Sequence, residues 1–332
     1  MAEREKIVFL DVATSAVERV MASLVPEGFE LVFARADTED KAVAAASEAD
    51  YLLVWSAHLP ARVIEAAKKV KLIQKVGEGT DRIDVAAAGR LGIPVVRTAG
   101  SNSASVAELA TLLTLATMRR LINAHNSLIA GQWLKFELRP GSYELRGKQV
   151  GIVGLGKIGK MVARQMQGFG ASVVYYDAFR LPVETETAMS VTYMPLDQLL
   201  GTSDVITLHV PSLPSTKGMI GAREIGLMKS TAILINTCRA AVVDEGALYK
   251  ALKENRIRGA GIDVFVSEPA PRDHPFFSLD NVIVTPHFGG GTEDAETEGI
   301  RHAFANIVRV SRGEALDALD YAAGSIRPGG RG

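Results

Sequence analysis

The sequence has one cysteine, Cys238, among 332 residues, so no internal disulfide can form and a reducing compartment is expected. Charge of one sign is missing too. Lys and Arg number 37 against 38 Asp and Glu, a formal net charge of −1. That balance calls for neither nucleic acid nor an anionic membrane as partner. There are no long apolar runs. Those around Ile233 and Val282 are too short to span a bilayer, and Met1–Lys6 is too charged to open a signal peptide. Low-complexity segments are absent from the interior, and no metal site is called for. The expectation is a soluble cytoplasmic protein with a disordered tail over Arg327–Gly332.

What is present is a regular alternation of short β-rich runs and helical stretches, the mark of parallel sheets covered by helices. The length allows two domains. In the first hundred residues the pattern predicts strands at Ile7–Val12, Leu31–Ala34, Tyr51–Trp55, Leu72–Val76 and Val95–Thr98. Helices are predicted between them, for example over Asp40–Ala49 and Ala61–Lys69. Ser105 and Glu108 have the spacing of a capping box, which predicts a long helix to about Ile122 with Arg119 and Arg120 near its end. Six more strands follow, at Gln149–Val153, Ser172–Tyr176, Val205–Val210, Ile233–Thr237, Gly259–Val264 and Val282–Thr285. A last helix, Ala295–Val310, is expected to return and pack on the first domain. The domains predicted are 1–101 with 292–332, and 102–291.

The strand Gln149–Val153 runs into Gly154-Leu155-Gly156-Lys157-Ile158-Gly159, a G-x-G-x-x-G spacing that opens a helical pattern. The first glycine makes the tight turn, the second lets backbone approach a pyrophosphate, and the third lets helix and strand pack closely. The next strand ends at Asp177, placed to accept hydrogen bonds from an adenosine ribose and to repel a 2′-phosphate. NAD is therefore the predicted cofactor. Gly154 and Gly159-Lys160 also mimic a P-loop, but Met161 follows and has no hydroxyl for magnesium.

In open α/β sheets ligands bind beyond the carboxyl ends of the strands. Those ends carry His209-Val210-Pro211, then Thr237-Cys238-Arg239, then Asp263 with Glu268 beyond it, and finally His287 before Gly289-Gly290. An arginine, a glutamate and a histidine near a nicotinamide suit one reaction, the interconversion of a carbonyl and an alcohol. Histidine can give and take the proton, glutamate fixes its tautomer, and arginine grips a carboxylate or polarises the carbonyl. His58, His125 and His302 are read as ordinary loop histidines, and His274 as a turn or packing residue. Cys238 is read as a small residue beside the cofactor, not a nucleophile.

At these residues the chain resembles the D-isomer-specific 2-hydroxyacid dehydrogenases, most strongly over Leu72–Gly313. The resemblance implies a flavodoxin-like substrate domain and a Rossmann NAD-binding domain. It implies Arg239, Glu268 and His287 as the catalytic triad. The cofactor residues expected are Gly154, Gly156, Lys157, Ile158, Gly159, Asp177, His209, Val210, Pro211, Thr216, Thr237, Cys238, Asp263, Gly289 and Gly290. Backbone N–H groups of Val76-Gly77-Glu78-Gly79 would bind the substrate carboxylate, with Asn102 and Ser105-Val106 at a hinge near substrate and nicotinamide. Gln132-Trp133 is read as packing or a dimer contact, since the family forms homodimers.

Two positions depart from the family's pattern: Ala240 stands where a glycine is usual, and Glu78 where small or apolar residues are common. Glu78 is read as a solvent-facing loop acid, with recognition of a hydroxyl-rich substrate chain as the alternative. Formate dehydrogenases share the fold but carry glutamine where Glu268 stands. NAD-responsive co-repressors share it too, with long disordered extensions not seen here. The expected substrate is a small 2-oxo or 2-hydroxy acid. Replacing Asp177 with asparagine should shrink the NADH-over-NADPH preference by about tenfold, one unit of RT ln 10. The comparison of kcat/KM for the two cofactors checks this, and an unchanged ratio would remove the ribose argument.

Overall fold

The computed structural model describes residues 4–327, so the expected tail after Arg327 lies outside the described residues. The chain divides into two compact units, Met1–Asn102 with Thr292–Gly332, and Ser103–Gly291.

The first unit has five strands: β1 (Glu5–Phe9), β2 (Phe29–Phe33), β3 (Tyr51–Val54), β4 (Leu72–Lys75) and β5 (Val95–Arg97). They lie in the order β2-β1-β3-β4-β5, every pair parallel. This is the flavodoxin-like doubly wound order. Successive side chains alternate across the sheet, so each strand feeds two cores. Val8, Leu52 and Ile73 join the alanine-rich helices Glu39–Ser47 and Val85–Arg90 on one face. Ile7, Phe9, Leu53 and Leu72 meet Met21 together with Ile300, Ala303, Phe304 and Ile307 on the other. Those last four belong to the helix Glu293–Ser311, which packs back on this unit as expected.

The second unit has seven strands: β6 (Gln149–Val153), β7 (Ser172–Tyr176), β8 (Val191–Tyr193), β9 (Val205–Leu208), β10 (Ile233–Asn236), β11 (Gly259–Ile262) and β12 (Val282–Val284). Their order is β12-β11-β10-β9-β6-β7-β8, all parallel, with the glycine-bearing β6 beside β9, where the winding reverses. The edge strand β8 was not among the six expected. At three residues it is too short to show a period.

The helix after the hinge also differs. It runs Ser103–Met118, so Ser105 lies inside it and the Ser105–Glu108 spacing is not a cap. Arg120, in the left-handed region at φ 50, separates it from a second helix, Leu121–Ile129. His125 and His302 accordingly sit on helices, not loops. Among the described residues no helix is long and apolar enough to cross a membrane. Phe304, only 2 % exposed, is expected to cost about 3–5 kcal/mol when replaced by alanine. Chemical denaturation of the full chain measures that loss.

Candidate active site

The turn after β6 is shaped by its glycines. Gly154 adopts φ 95, and a Cβ there would come within 2.6 Å of the His209 carbonyl oxygen. A Cβ on Gly159 would collide with the Gly154 carbonyl, so helix and strand can approach only if this residue has no side chain. Around Gly156, by contrast, a Cβ would find open space. Gly156 begins the helix Lys157–Gly168, with no side chain capping its first N–H groups. Those donors and the helix dipole form a site that suits a phosphate. Asp177, at the end of β7, accepts from the Leu155 N–H at 2.8 Å through Oδ2 and from the Phe179 N–H at 3.0 Å through Oδ1. The acid is thereby fixed against the glycine turn. Lys157 is exposed on the first turn of the helix, and Ile158 packs against the core beneath.

The strands β9 and β10 run out into polar atoms that lack partners. His209 Nε2 lies 2.9 Å from Thr207 Oγ1, but Nδ1 is buried with no hydrogen bond. Burial pushes the His209 pKa down to about 3, so the ring is neutral at pH 7. Thr237 Oγ1, beyond β10, is likewise buried and unpaired. Buried polar groups are nearly always satisfied, so these two atoms are where a bound polar molecule would complete the structure. With the open space at Gly156 they fit the demands of a dinucleotide.

Thr216 is used differently: its hydroxyl donates to the Pro211 carbonyl at 2.6 Å and accepts the Leu213 N–H at 2.8 Å. It closes its own loop. Val210 lines the approach to Gly154, and Pro211 is exposed at the loop's start. Burial raises the Cys238 thiol pKa to about 11, which leaves it a poor nucleophile at neutral pH.

Arg239, Glu268 and His287 all belong to the second unit. His287 Nδ1 lies 2.8 Å from Glu268 Oε2, and Glu268 Oε1 accepts the Phe265 N–H at 3.1 Å. The His287 side chain is 45 % exposed, so its other nitrogen can meet a ligand. His287 adopts φ 52, an uncommon conformation for a residue with a side chain. Asp263 holds it there. The Asp263 carbonyl accepts the His287 N–H at 2.8 Å. Its carboxylate, 0 % exposed, accepts from Thr285 Oγ1 at 2.6 Å, Phe288 N–H at 2.7 Å and Gly289 N–H at 2.8 Å. Burial raises the Asp263 pKa, and these donors pull it back. All its polar contacts are internal, a bracing role that strand-end position alone did not reveal. Gly289 sits against Asp263 Oδ2, where a Cβ would come within 3.1 Å, and Gly290 follows, half-buried.

Arg239 Nη1 donates to the Cys238 carbonyl at 2.7 Å, while Asn236 braces the turn through Nδ2 to the Arg239 carbonyl at 3.1 Å. Ala240 opens the short helical turn Ala240–Val242 and is not in the left-handed region, so alanine there is unstrained. His274 is 6 % exposed, with Nε2 3.0 Å from Glu245 Oε1 and its ring against Phe265, Phe276 and Phe277. It is a packing residue, as its sequence suggested.

In the first unit the loop after β4 turns at Gly77, φ 101, whose N–H donates to Thr98 Oγ1 at 2.7 Å. Val76 is buried beneath, only 3 % exposed. The Glu78 and Gly79 N–H groups make no hydrogen bond among the described residues. Asn102 Oδ1 is buried without a partner. The Glu78 side chain is not the solvent-facing acid expected: it pairs with Arg97 at 3.1 Å. The last histidine, His302, bonds Asp320 Oδ2 at 2.8 Å.

Residues 111–289 match the family model for the NAD binding domain of D-isomer specific 2-hydroxyacid dehydrogenases. The D-3-phosphoglycerate dehydrogenase of Methanocaldococcus jannaschii is 42% identical over 279 residues, covering 83% of this chain and 52% of that protein. The glyoxylate reductase of Korarchaeum cryptofilum is 40% identical over 259 residues, 77% of each chain. This chain thus spans about half the length of the first relative and about three-quarters of the second. The NAD-dependent formate dehydrogenase of Staphylococcus aureus, solved with NAD, superposes with a TM-score of 0.84 at 27% identity, covering 97% of this chain and 100% of that one. A glycine turn built for a pyrophosphate and a domain model spanning β6 to β12 agree with these likenesses: the cofactor is NAD, and the chain belongs to the D-isomer-specific 2-hydroxyacid dehydrogenase family.

Proposed function

We propose that this chain is an NADH-dependent reductase of small 2-oxo acids, acting in reverse as a D-2-hydroxyacid dehydrogenase. The His287–Glu268 pair at 2.8 Å carries the reading. When bound, the cofactor supplies the hydride. His287 donates a proton from Nε2 to the carbonyl oxygen as it becomes a hydroxyl, while Glu268 keeps the Nδ1 proton in place and stabilises the charged ring. Arg239 orients and polarises the substrate. On the first unit, the Glu78 and Gly79 N–H groups take the substrate carboxylate on the loop formed by Val76 and Gly77, and Asn102 offers its unpaired Oδ1 to the ligand.

For the cofactor, Gly154, Gly156 and Gly159 with the backbone of Lys157 and Ile158 hold the pyrophosphate, and Asp177 selects the ribose hydroxyls of NAD over NADP. His209, Val210, Pro211, Thr237 and Cys238 line its path, with Gly289 and Gly290 toward the nicotinamide. Thr216 and Asp263 act by shaping their loops. Formate oxidation needs no proton relay, whereas an acid–histidine pair is built for one.

We also infer a homodimer in the cytoplasm. The helix Leu121–Ile129 has no buried residue, and Leu128, Ile129, Trp133 and Phe136 are 59%, 74%, 75% and 63% exposed. Large apolar side chains exposed within so short a segment are commonly covered by a partner, and a second copy satisfies them. Light scattering should give twice the chain mass, and Ile129→Glu with Trp133→Glu should return a monomer.

The activity is tested by NADH oxidation over a panel of 2-oxo acids including glyoxylate and hydroxypyruvate. Turnover is expected; cofactor binding with no turnover would point instead to an NAD-responsive binding protein. His287→Ala should lower kcat by about 10²–10⁴-fold, the contribution of a general acid, with NADH affinity unchanged by fluorescence titration. A fully active variant would overturn the mechanism.

A further inference from the structure

The Glu78 side chain takes no part in the chemistry above, and its surroundings explain why. Oε2 pairs with the Arg97 guanidinium at 3.1 Å, and Oε1 accepts the Gly100 N–H. Arg97 Nη1 lies 3.5 Å from the Glu78 carbonyl, and its Nε 3.4 Å from that of Leu319. The two side chains are 33% and 29% exposed, so water screens the pair only in part. Both segments are tied at other points. Gly77 N–H donates to Thr98 Oγ1 at 2.7 Å, and Thr98 N–H returns to the Gly77 carbonyl at 3.3 Å. Behind them Asp320, 2% exposed, accepts the Ala99 N–H at 3.2 Å, His302 Nε2 at 2.8 Å and Asn306 Nδ2 at 3.2 Å. The segment Arg97–Gly100 is thus clamped between the Gly77–Glu78 loop and the helix Glu293–Ser311.

Two consequences follow from the chemistry. The clamp fixes the peptide planes of Glu78 and Gly79, whose N–H groups point at no internal acceptor. It also engages one cation beside the loop, the Arg97 guanidinium. Arg97 is neutralised by Glu78, and Lys75 Nζ donates to the Val76 carbonyl. A substrate phosphate requires charge-assisted donors, best supplied by an arginine fork, and here the Arg97 fork is already engaged.

We propose that the Glu78–Arg97 pair is a positioning and specificity element that restricts this chain to unphosphorylated 2-oxo acids with an uncharged tail. This rests on the reductase reading above. Glu78 and Arg97 act through the loop: the pair presents the carboxylate-binding N–H groups and withholds the guanidinium from any second anion.

The test is steady-state kinetics of the full chain with hydroxypyruvate and with its 3-phosphate. The wild type should favour the unphosphorylated acid in kcat/KM. Glu78→Gln keeps an oxygen for the Gly100 N–H but frees Arg97. It should narrow the gap by about tenfold through the KM of the phosphorylated substrate, the size of one charge-assisted hydrogen bond. That gain should fade as salt is raised, which a purely structural effect would not do. Arg97→Gln should raise KM for both substrates with little change in kcat, and give no gain for the phosphate. A wild type that prefers the phosphorylated acid, or a Glu78→Gln variant with an unchanged ratio, overturns the proposal. Absence of turnover with every 2-oxo acid instead overturns the reductase reading, and the proposal with it.

Discussion

A carboxylate removed from water must be met by donors, and the donors that meet Asp263 are what shape the strand ends around His287 in the second unit. Three of them come from the segment Thr285–Gly289, so that loop cannot leave the end of β11 without exposing a buried charge. The same residue's carbonyl takes the His287 N–H and keeps that histidine at φ 52. A strained backbone persists only where its surroundings over-determine it. The strain at His287 is therefore supported from below by a group that never touches solvent, and Glu268 aligns the ring from the side. His287 is thus positioned by two acids with separate tasks.

The glycine-bearing strand β6 imposes a comparable constraint at its own end. Its turn passes so near His209 that Gly154 has no room for a side chain. Beside it the His209 imidazole is buried, with Nδ1 lacking a partner. Close packing at the turn and unsatisfied polarity beside it have one origin, the parallel arrangement that brings the ends of β6 and β9 together. Binding of a polar ligand there restores hydrogen bonds that folding left unmade.

Much of this was legible in the residues because it depends on local order. Glycine spacing, the acid after the second strand and the polar residues at successive strand ends all lie in consecutive sequence. What could not be read depends on partners far apart in the chain. Glu78 meets Arg97 nineteen positions away across a sheet edge, so its two plausible uses on the sequence both missed the ion pair. Asp263 stood at a strand end like a ligand-binding residue, and nothing local showed its carboxylate turned inward. The strand β8 has too few residues for a period to show. Ser105 and Glu108 matched a cap spacing by chance inside a helix already begun at Ser103, and the break at Arg120 is set by a backbone conformation that arginine does not advertise.

The return of the helix Glu293–Ser311 bears on the order in which the protein can fold as it is made. The second unit is one continuous segment and can complete its core while synthesis is still under way. The first unit cannot. Ile7, Phe9 and Leu53 face Ile300, Phe304 and Ile307, residues made some 250 to 300 positions later. Until that helix leaves the ribosome, this side of the earliest sheet is covered only in part, by Met21 and its neighbours. The part of the chain made first is thus the part finished last, and it is the part that most needs protection from other nascent chains.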